Sequence, residues 1–540
     1  VQVTSNNSIS ILKSSSLRLK NDDDPGAGRF IQMNGHPTVP AHRWPRLLAA
    51  IALLAFILRW LWLGHASLWI DEAWSLRVAQ MTPGEILLFD QTDTNPPLYY
   101  LLLHYWGALG DNEAALRFLS VLLGTAAVVI STQSAYEWFG LRVATVSGLL
   151  MALSSLLIDW ARQIRMYGLL QFCTALALWG LWQIVADRPT RRRRWGMAAY
   201  ILGMVGALYT QSAIPLFWGA MLLWGALMSL WRRPWPSLRR FWLAQLAVAC
   251  CWLPYFPSRF ATIGAVVEHF WIPPVTLRYI TASLSRQFLG HQPWVPWWPL
   301  LVGLPIFVLF CAGVWRARRQ PALLALLLLV IVVPQLILLI VSLWRPLWGE
   351  RYIIYVTPLL LMLVANGLTA ERSAWTWIRC KVPHSVSANQ RAFVWAATAA
   401  TIAVMASGTI FLFVGLQRDD WRAVAKFVIP QLQPGDQIEV SNSGALSFHY
   451  YFEKLIDPTL AATLVYSPTM ITRGQIVEPK GDGGAASPAH AAELPARTRR
   501  WLIDSVARRE REDAGAGAPS ADGARELAVF PNGIVIKLLD

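Results

Sequence analysis

From residue 47 to residue 415 the chain alternates long apolar runs with short polar breaks. A helix needs about 17 to 25 apolar residues to cross a hydrocarbon core. That length predicts spans near 47–64, 114–135, 141–158, 166–186, 195–211, 213–230, 241–257, 298–314, 322–343, 352–370 and 393–415. One further run, PLYYLLLHYWGALG at 97–110, is short for a crossing. Pro96 and Pro97 suit a helix start, so this segment is expected to lie as a helix in the membrane interface. The pattern changes at both ends. Residues 1–45 are polar, include NDDDPGAG, and read as a flexible cytoplasmic leader with no cleavable signal. Beyond 415, DDWRAVAKFVIPQL reads as an amphipathic helix, GDQIEVSN as a strand and GALSFHYYF as a helix. ELAVFPNGIVIKLLD reads as a hairpin around Asn532 and Gly533. Residues 416–540 are thus expected to form a small soluble α/β domain, with a disordered insertion near 479–497.

Charge decides the topology. If 97–110 does not cross, the Arg-rich loops YEWFGLR, DRPTRRRRW, WRRPWPSLRR, WRARRQ and 371–391 share the side of the N-terminus, as the positive-inside rule requires. The expectation is a polytopic α-helical membrane protein with about 11 transmembrane helices, its N-terminus cytoplasmic and its C-terminal domain extracytoplasmic. The outer face then receives residues 65–113, a turn at 159–165, a loop at 258–297 and the turn WRPLWGERY. Composition agrees. Hydrophobic residues make up 55% of the 540, and 29 are Trp, with a mean hydropathy of +0.40, which suits residence in a bilayer. The net charge of +15 comes from clusters that orient spans, so no nucleic-acid partner is expected. The five cysteines lie in or beside spans, and none lies in the C-terminal tail, so no disulfide framework or CxxC metal site is expected.

Candidate chemistry sits in the first outer loop, where Asp71, Glu72, Glu85, Asp90 and Asp93 face one base, Arg77. Asp71 lies between LWI and AW, at the interface rather than in open solvent, where a carboxylate can take a proton from an acceptor hydroxyl. Asp93 and Asn95 stand just before the two prolines that rigidify the interfacial helix; they serve either as a helix start or as active-site groups. His104 on that helix is expected to pack rather than to bind metal. Outer Arg residues are the second group. Arg162 and Arg165 precede one span and Arg345 and Arg351 another, with Glu350 beside Arg351 and with Tyr167 and Tyr352 close by in sequence. Outer spans ordinarily carry few Arg, so these call for an anion such as a phosphate. Arg59 within the first span is expected to snorkel. Walker, dinucleotide and GxSxG motifs are absent, so the energy for a reaction must arrive in an activated lipid or a gradient rather than in bound ATP, and a lipid phosphate sugar is the obvious donor outside the membrane.

In their order, DEAWSLRVA, DTNPPLYYLLLHYW, RMYGLL, ERYIIYVTPLLLML and RDDWRAVAKFV resemble the GT-C glycosyltransferases of the protein O-mannosyltransferase and aminoarabinose transferase-like superfamily. The resemblance covers about 47–450. It implies a GT-C fold over 46–415 and transfer of a hexosyl or pentosyl group from a polyprenyl phosphate, such as undecaprenyl phosphate, with inversion. It also implies a cytoplasmic (inner) membrane enzyme acting at the outer face. By the resemblance Asp71 is the catalytic carboxylate, Glu72 its partner and Asp93 a second active-site acid. Arg165 and Arg351 hold the lipid phosphate, with Arg345 and Arg162 near them, and Asn95, Tyr167, Tyr352 and Glu350 line the substrate cavity. The acceptor is a hydroxyl on a protein, a lipid or a polysaccharide. No cofactor is required by the sequence; some relatives bind a divalent cation, for which Asp71 and Asp93 would be the oxygen ligands. The rival readings are a lipid-linked oligosaccharide flippase, which needs charges near the middle of several spans, a ligase using lipid pyrophosphate donors, and a membrane scaffold whose C-terminal domain binds partners.

Overall fold

The computed structural model of the chain describes residues 43–89, 95–186, 189–231, 236–257, 275–292, 302–369, 387–415, 419–440, 444–461, 463–468, 471–472, 475–476, 499–505, 525–530 and 534–539. Its helices fall where the apolar runs do. In chain order they are α1 (Arg43–Trp60), α2 (Ile70–Ala79), α3 (Pro83–Phe89), α4 (Leu98–Trp106), α5 (Glu113–Phe139), α6 (Leu141–Leu153) and α7 (Ser155–Trp160). They continue with α8 (Tyr167–Val185), α9 (Thr190–Leu208), α10 (Ile214–Trp231), α11 (Pro236–Trp252), α12 (Leu277–Leu289), α13 (Leu304–Ala317), α14 (Pro321–Val341), α15 (Val356–Leu368) and α16 (Ser387–Val414). Among the described residues five stretches are long and apolar enough to cross a membrane: α5, α8, α10, α14 and Ala396–Val414 of α16.

Local chemistry sets the ends. Asn112 caps α5 by accepting the Ala115 amide at 2.9 Å, and Gly140, at φ 89, ends it in a conformation that a side chain would strain. The run expected as one span over 141–158 is two helices. Ser154 takes extended dihedrals and caps α7, so the chain breaks there. The segment 97–110 forms the nine-residue helix α4, which rises roughly 14 Å, less than half a hydrocarbon core. Its buried residues are Tyr99, Tyr100 and Leu103, while Leu102 and Tyr105 are exposed. The loop expected over 258–297 contains a helix that the sequence reading lacked, α12, capped by the Thr276 hydroxyl. Helices α13 and α15 touch backbone to backbone: a Cβ on Gly313 would lie 1.8 Å from the Leu363 carbonyl, and one on Gly367 2.0 Å from that of Leu309.

After α16 come α17 (Trp421–Val428), β1 (Gln437–Val440), α18 (Ala445–Leu455), α19 (Pro458–Ala461), β2 (Val465–Pro468), β3 (Ile471–Thr472), β4 (Gln475–Ile476), β5 (Arg500–Ser505), β6 (Arg525–Val529) and β7 (Ile534–Leu539). Five strands form one sheet in the order β2-β1-β5-β7-β6. β1 runs parallel to β2 and β5, and β7 antiparallel to β5 and β6. Val424, Val428, Ile438, Val440, Phe448, Trp501 and Ile536 are buried here. The leader up to residue 42, Asp90, Asp93, the insertion at 479–497, the turn at Asn532 and Gly533, and Trp271, Trp294, Trp297 and Trp298 lie outside the described residues.

Candidate active site

The first turn of α2 carries two adjacent carboxylates, and a helix turns about 100° per residue, so they face different neighbours. Glu72 points into the protein and is fully buried. Its Oε1 accepts from Arg117 Nε at 2.8 Å and from the Ile164 amide at 2.9 Å, and its Oε2 accepts from Arg117 Nη2 at 2.7 Å. Arg117, in the first turns of α5, spends its remaining donors on the carbonyls of Leu63, Ala66 and Ser67. One ion pair thus ties together the end of α1, the start of α2, α5 and the segment leading to Arg165.

Asp71 faces the other way, with its side chain 24% exposed. Its Oδ2 lies 3.8 Å from Arg165 Nη2 and 3.6 Å from Arg351 Nη1, distances too long for hydrogen bonds. Arg165 is aimed by the close approach of α8 to α5: a Cβ on Gly168 would lie 2.7 Å from the Ser120 carbonyl. Its Nη1 donates to the Ser75 hydroxyl at 3.2 Å and to the Asp71 carbonyl at 3.3 Å. Tyr167 is buried beside Arg165, and the Arg351 guanidinium lies 5.2 Å from the centre of the Tyr352 ring. Glu350 receives two hydrogen bonds from Arg286 of α12, at 2.8 and 3.0 Å. Burial opposes the Glu350 charge, but Arg286 outweighs it and holds the carboxyl below the ordinary glutamate value. The turn that presents Arg351 is fastened by this bridge.

The structure brings Asp71, Arg165, Arg351, Tyr167, Tyr352 and Glu350 to one place and directs others elsewhere. Arg162 donates to the Leu61 carbonyl at 2.6 Å and lies over the Phe413 ring. Arg345 is exposed on the turn after α14. Asn95 is half-buried at the approach to α4. Asp93 lies outside the described residues. His104 is a packing residue, its Nδ1 2.8 Å from the Ala79 carbonyl. Arg59 does not snorkel: its side chain is fully buried and donates back to the Ala55 carbonyl, because α5 and Ala161 cover that face of α1.

Sequence reasoning missed Arg117, Arg286 and a pair between His291 and Asp159, whose Nε2 and Oδ2 are 3.2 Å apart. The rule that singled out Arg165, an Arg at the outer end of a span, applies equally to Arg117. Among the described residues no group of three His, Cys, Asp or Glu side chains gathers as metal ligands. Asp71, the one described carboxylate proposed for a cation, faces two guanidinium groups instead, an arrangement that repels a cation and suits an anion.

Residues 94–256 match the family described as dolichyl-phosphate-mannose-protein mannosyltransferase. Among solved structures, ArnT from Cupriavidus metallidurans in the apo state is similar over 93% of this chain and 98% of its own, at 16% identity and a TM-score of 0.52. ArnT from the same organism bound to undecaprenyl phosphate aligns over 92% and 98%, at 16% identity and a TM-score of 0.48. The oligosaccharyltransferase of Archaeoglobus fulgidus in complex with Zn and sulfate aligns over 91% of this chain and 72% of its own, at 12% identity and a TM-score of 0.49. No curated protein matches the chain in sequence. At these identities the likeness to apo ArnT is one of fold, and the matched family segment contains both α4 and the Arg165 turn. Over residues 94–256 the chain is similar to the dolichyl-phosphate-mannose-protein mannosyltransferase family, and its fold is similar to that of apo ArnT.

Proposed function

We propose that this membrane glycosyltransferase moves a sugar from a polyprenyl phosphate to an acceptor hydroxyl at the extracytoplasmic face, by a single inverting displacement. The observation that carries the reading is the Asp71 carboxylate held between the Arg165 and Arg351 guanidinium groups without a direct hydrogen bond to either. The two guanidinium groups suit the negative charge of a sugar phosphodiester. The acceptor oxygen attacks the anomeric carbon, and its proton passes to Asp71. The bond from that carbon to the phosphate oxygen breaks, and the electron pair leaves with the lipid phosphate. The guanidinium groups oppose the negative charge that develops on the leaving phosphate. Glu72 takes no proton in this scheme; through Arg117 and the Ile164 amide it positions Asp71 and Arg165. Asp93 remains a candidate second acid by resemblance.

Supporting the extracytoplasmic placement, the Arg-rich breaks at 190–194 and 316–319 lie at the ends of α9 and α13 away from this cluster in the expected topology. The same parity gives eleven crossings, with the soluble domain outside. Against a flippase stand the buried charges of the membrane part: among the described residues Arg59, Glu72, Arg117, Asp159 and Arg165 all lie at helix ends or in the turns between helices. The description of the matched family, dolichyl-phosphate-mannose-protein mannosyltransferase, supports a polyprenyl phosphate sugar as the donor class. The test is transfer by the purified protein in lipid nanodiscs with a panel of polyprenyl phosphate sugars. Turnover with at least one donor that disappears in a folded Asp71→Asn variant supports the reading. Equal turnover in both removes Asp71 from the mechanism, and no turnover with any donor favours transport.

A further inference from the structure

The six residues that lead into α2, Leu63–Leu68, have no helix or strand to satisfy their backbone, and α2 begins at Trp69, which offers no side-chain oxygen as a cap. What holds this segment comes from two sides. From the membrane part, Arg117 binds the carbonyls of Leu63, Ala66 and Ser67. From the C-terminal domain, Arg422 of α17 donates to the carbonyls of Gly64 at 3.1 Å and Ala66 at 3.3 Å. The Ser67 hydroxyl donates to the Asp419 carbonyl at 2.7 Å and accepts from the Trp421 amide at 3.1 Å. The buried Leu68 amide donates to the Tyr451 hydroxyl of α18 at 2.8 Å. That hydroxyl in turn donates to Glu113 Oε1 at 3.0 Å, and Glu113 pairs with Arg422 at 3.0 Å. Burial raises the Tyr451 hydroxyl above its ordinary value, so it keeps the proton that it donates. Leu68 lies three residues before Asp71, with only the first turn of α2 between them.

We propose that Tyr451 is a positioning residue for sugar transfer: by fixing the Leu68 amide, the soluble domain sets where Asp71 stands between Arg165 and Arg351. The inference rests on the proposed function. Each arginine of the cluster has a hold of its own away from Tyr451: Arg165 precedes α8, which is seated on α5 at Gly168, and Arg351 is fastened through Glu350 to Arg286. Arg165 also meets α2 through the Asp71 carbonyl and the Ser75 hydroxyl. The soluble domain therefore acts chiefly on the chemical step, because the hold over lipid phosphate keeps these independent anchors.

The experiment compares the full chain, Tyr451→Phe and Asp71→Asn in nanodiscs by three readouts. These are kcat for transfer, the Kd for a sugar-free polyprenyl phosphate, and hydrogen exchange over residues 66–74. Exchange over Arg500–Ser505 checks that the domain stays folded. For Tyr451→Phe we expect kcat to fall on the order of tenfold, the Kd to be unchanged, and exchange over 66–74 to quicken while the strand stays protected. For Asp71→Asn we expect lost transfer with exchange over 66–74 unchanged. Wild-type kcat in Tyr451→Phe, a weakened Kd, unaltered exchange over 66–74 or loss of strand protection overturns the inference alone. Wild-type turnover in Asp71→Asn overturns the function reading, and the inference with it.

Discussion

Two clusters of carboxylate and guanidinium stand back to back on α2, and they differ in how closely the carboxylate and its guanidinium groups approach. Around Glu72 every donor of Arg117 is used, both carboxylate oxygens accept at 2.7 to 2.9 Å, and water is excluded. Around Asp71 the ion pairs lengthen to 3.6 and 3.8 Å, and a quarter of the side chain meets solvent. A saturated pair has nothing to exchange with a substrate; a loose one can trade its partner for a phosphate oxygen. Adjacent residues of the same charge are thereby divided between a buried structural pair and, in the proposed function, the chemistry.

The largest effect that would sharpen this division is on turnover. Asp71→Asn is expected to lower kcat by about 10²-fold to 10⁴-fold, the range for a lost general base, while thermal unfolding in nanodiscs stays as in the wild type. The mirror-image substitution is Glu72→Gln, which leaves the Arg117 charge buried without its counterion. It is expected to cost about 3 to 5 kcal/mol of stability, seen as a lower unfolding temperature and a smaller folded yield. If Glu72→Gln is stable but inactive, the two carboxylates share the chemistry and the comparison fails.

Next in size is Arg351→Lys. Lysine keeps the charge but not the planar fork, so the donor KM is expected to rise roughly tenfold with a smaller change in kcat. The same substitution at the exposed Arg345 is expected to leave both within about twofold. An equal effect at the two positions would mean that general outer charge, rather than the geometry beside Asp71, attracts the lipid phosphate.

Apolar length made the helices legible, and the expected Arg asymmetry picked out Asp71, Arg165 and Arg351, because a charged group at a span end expected to face outward lacks an ordinary reason to be there. The division between Asp71 and Glu72 was not legible. It depends on which face of α2 meets α5, and the partner that decides it, Arg117, is forty-five positions away and was absorbed into a span. Arg286 was hidden for a related reason: α12 was read as loop, since LRYITASLSRQFL is polar on one face and too short to register as a crossing. Beyond α16, β1, the helices α17 and α18 and the paired strands β6 and β7 followed their patterns. β2 and β5 did not, because strands of four and six residues carrying Pro468 or Arg500 show little alternation, and their pairing with β1 is set by tertiary contact.

The smallest effect concerns a second tight pair that supports the loose cluster. Arg286 grips Glu350, and Glu350 precedes Arg351, so a saturated bridge holds the turn from which the unsaturated one reaches Asp71. Because Arg286 keeps the Glu350 carboxyl below its ordinary value in the folded protein, the bridge contributes stability that is fully present above the unfolded glutamate pKa, about 4.3. That contribution is lost as pH falls through the lower folded-state value. Wild type is therefore expected to unfold at a higher temperature than Glu350→Gln by a constant margin from pH 7 down to about pH 5, with the margin closing below about pH 4. A margin that persists unchanged at pH 3 would mean that Glu350 acts through packing rather than charge. In that case Arg351 is placed by the shape of its turn, and the contrast between tight support and loose site would hold only on α2.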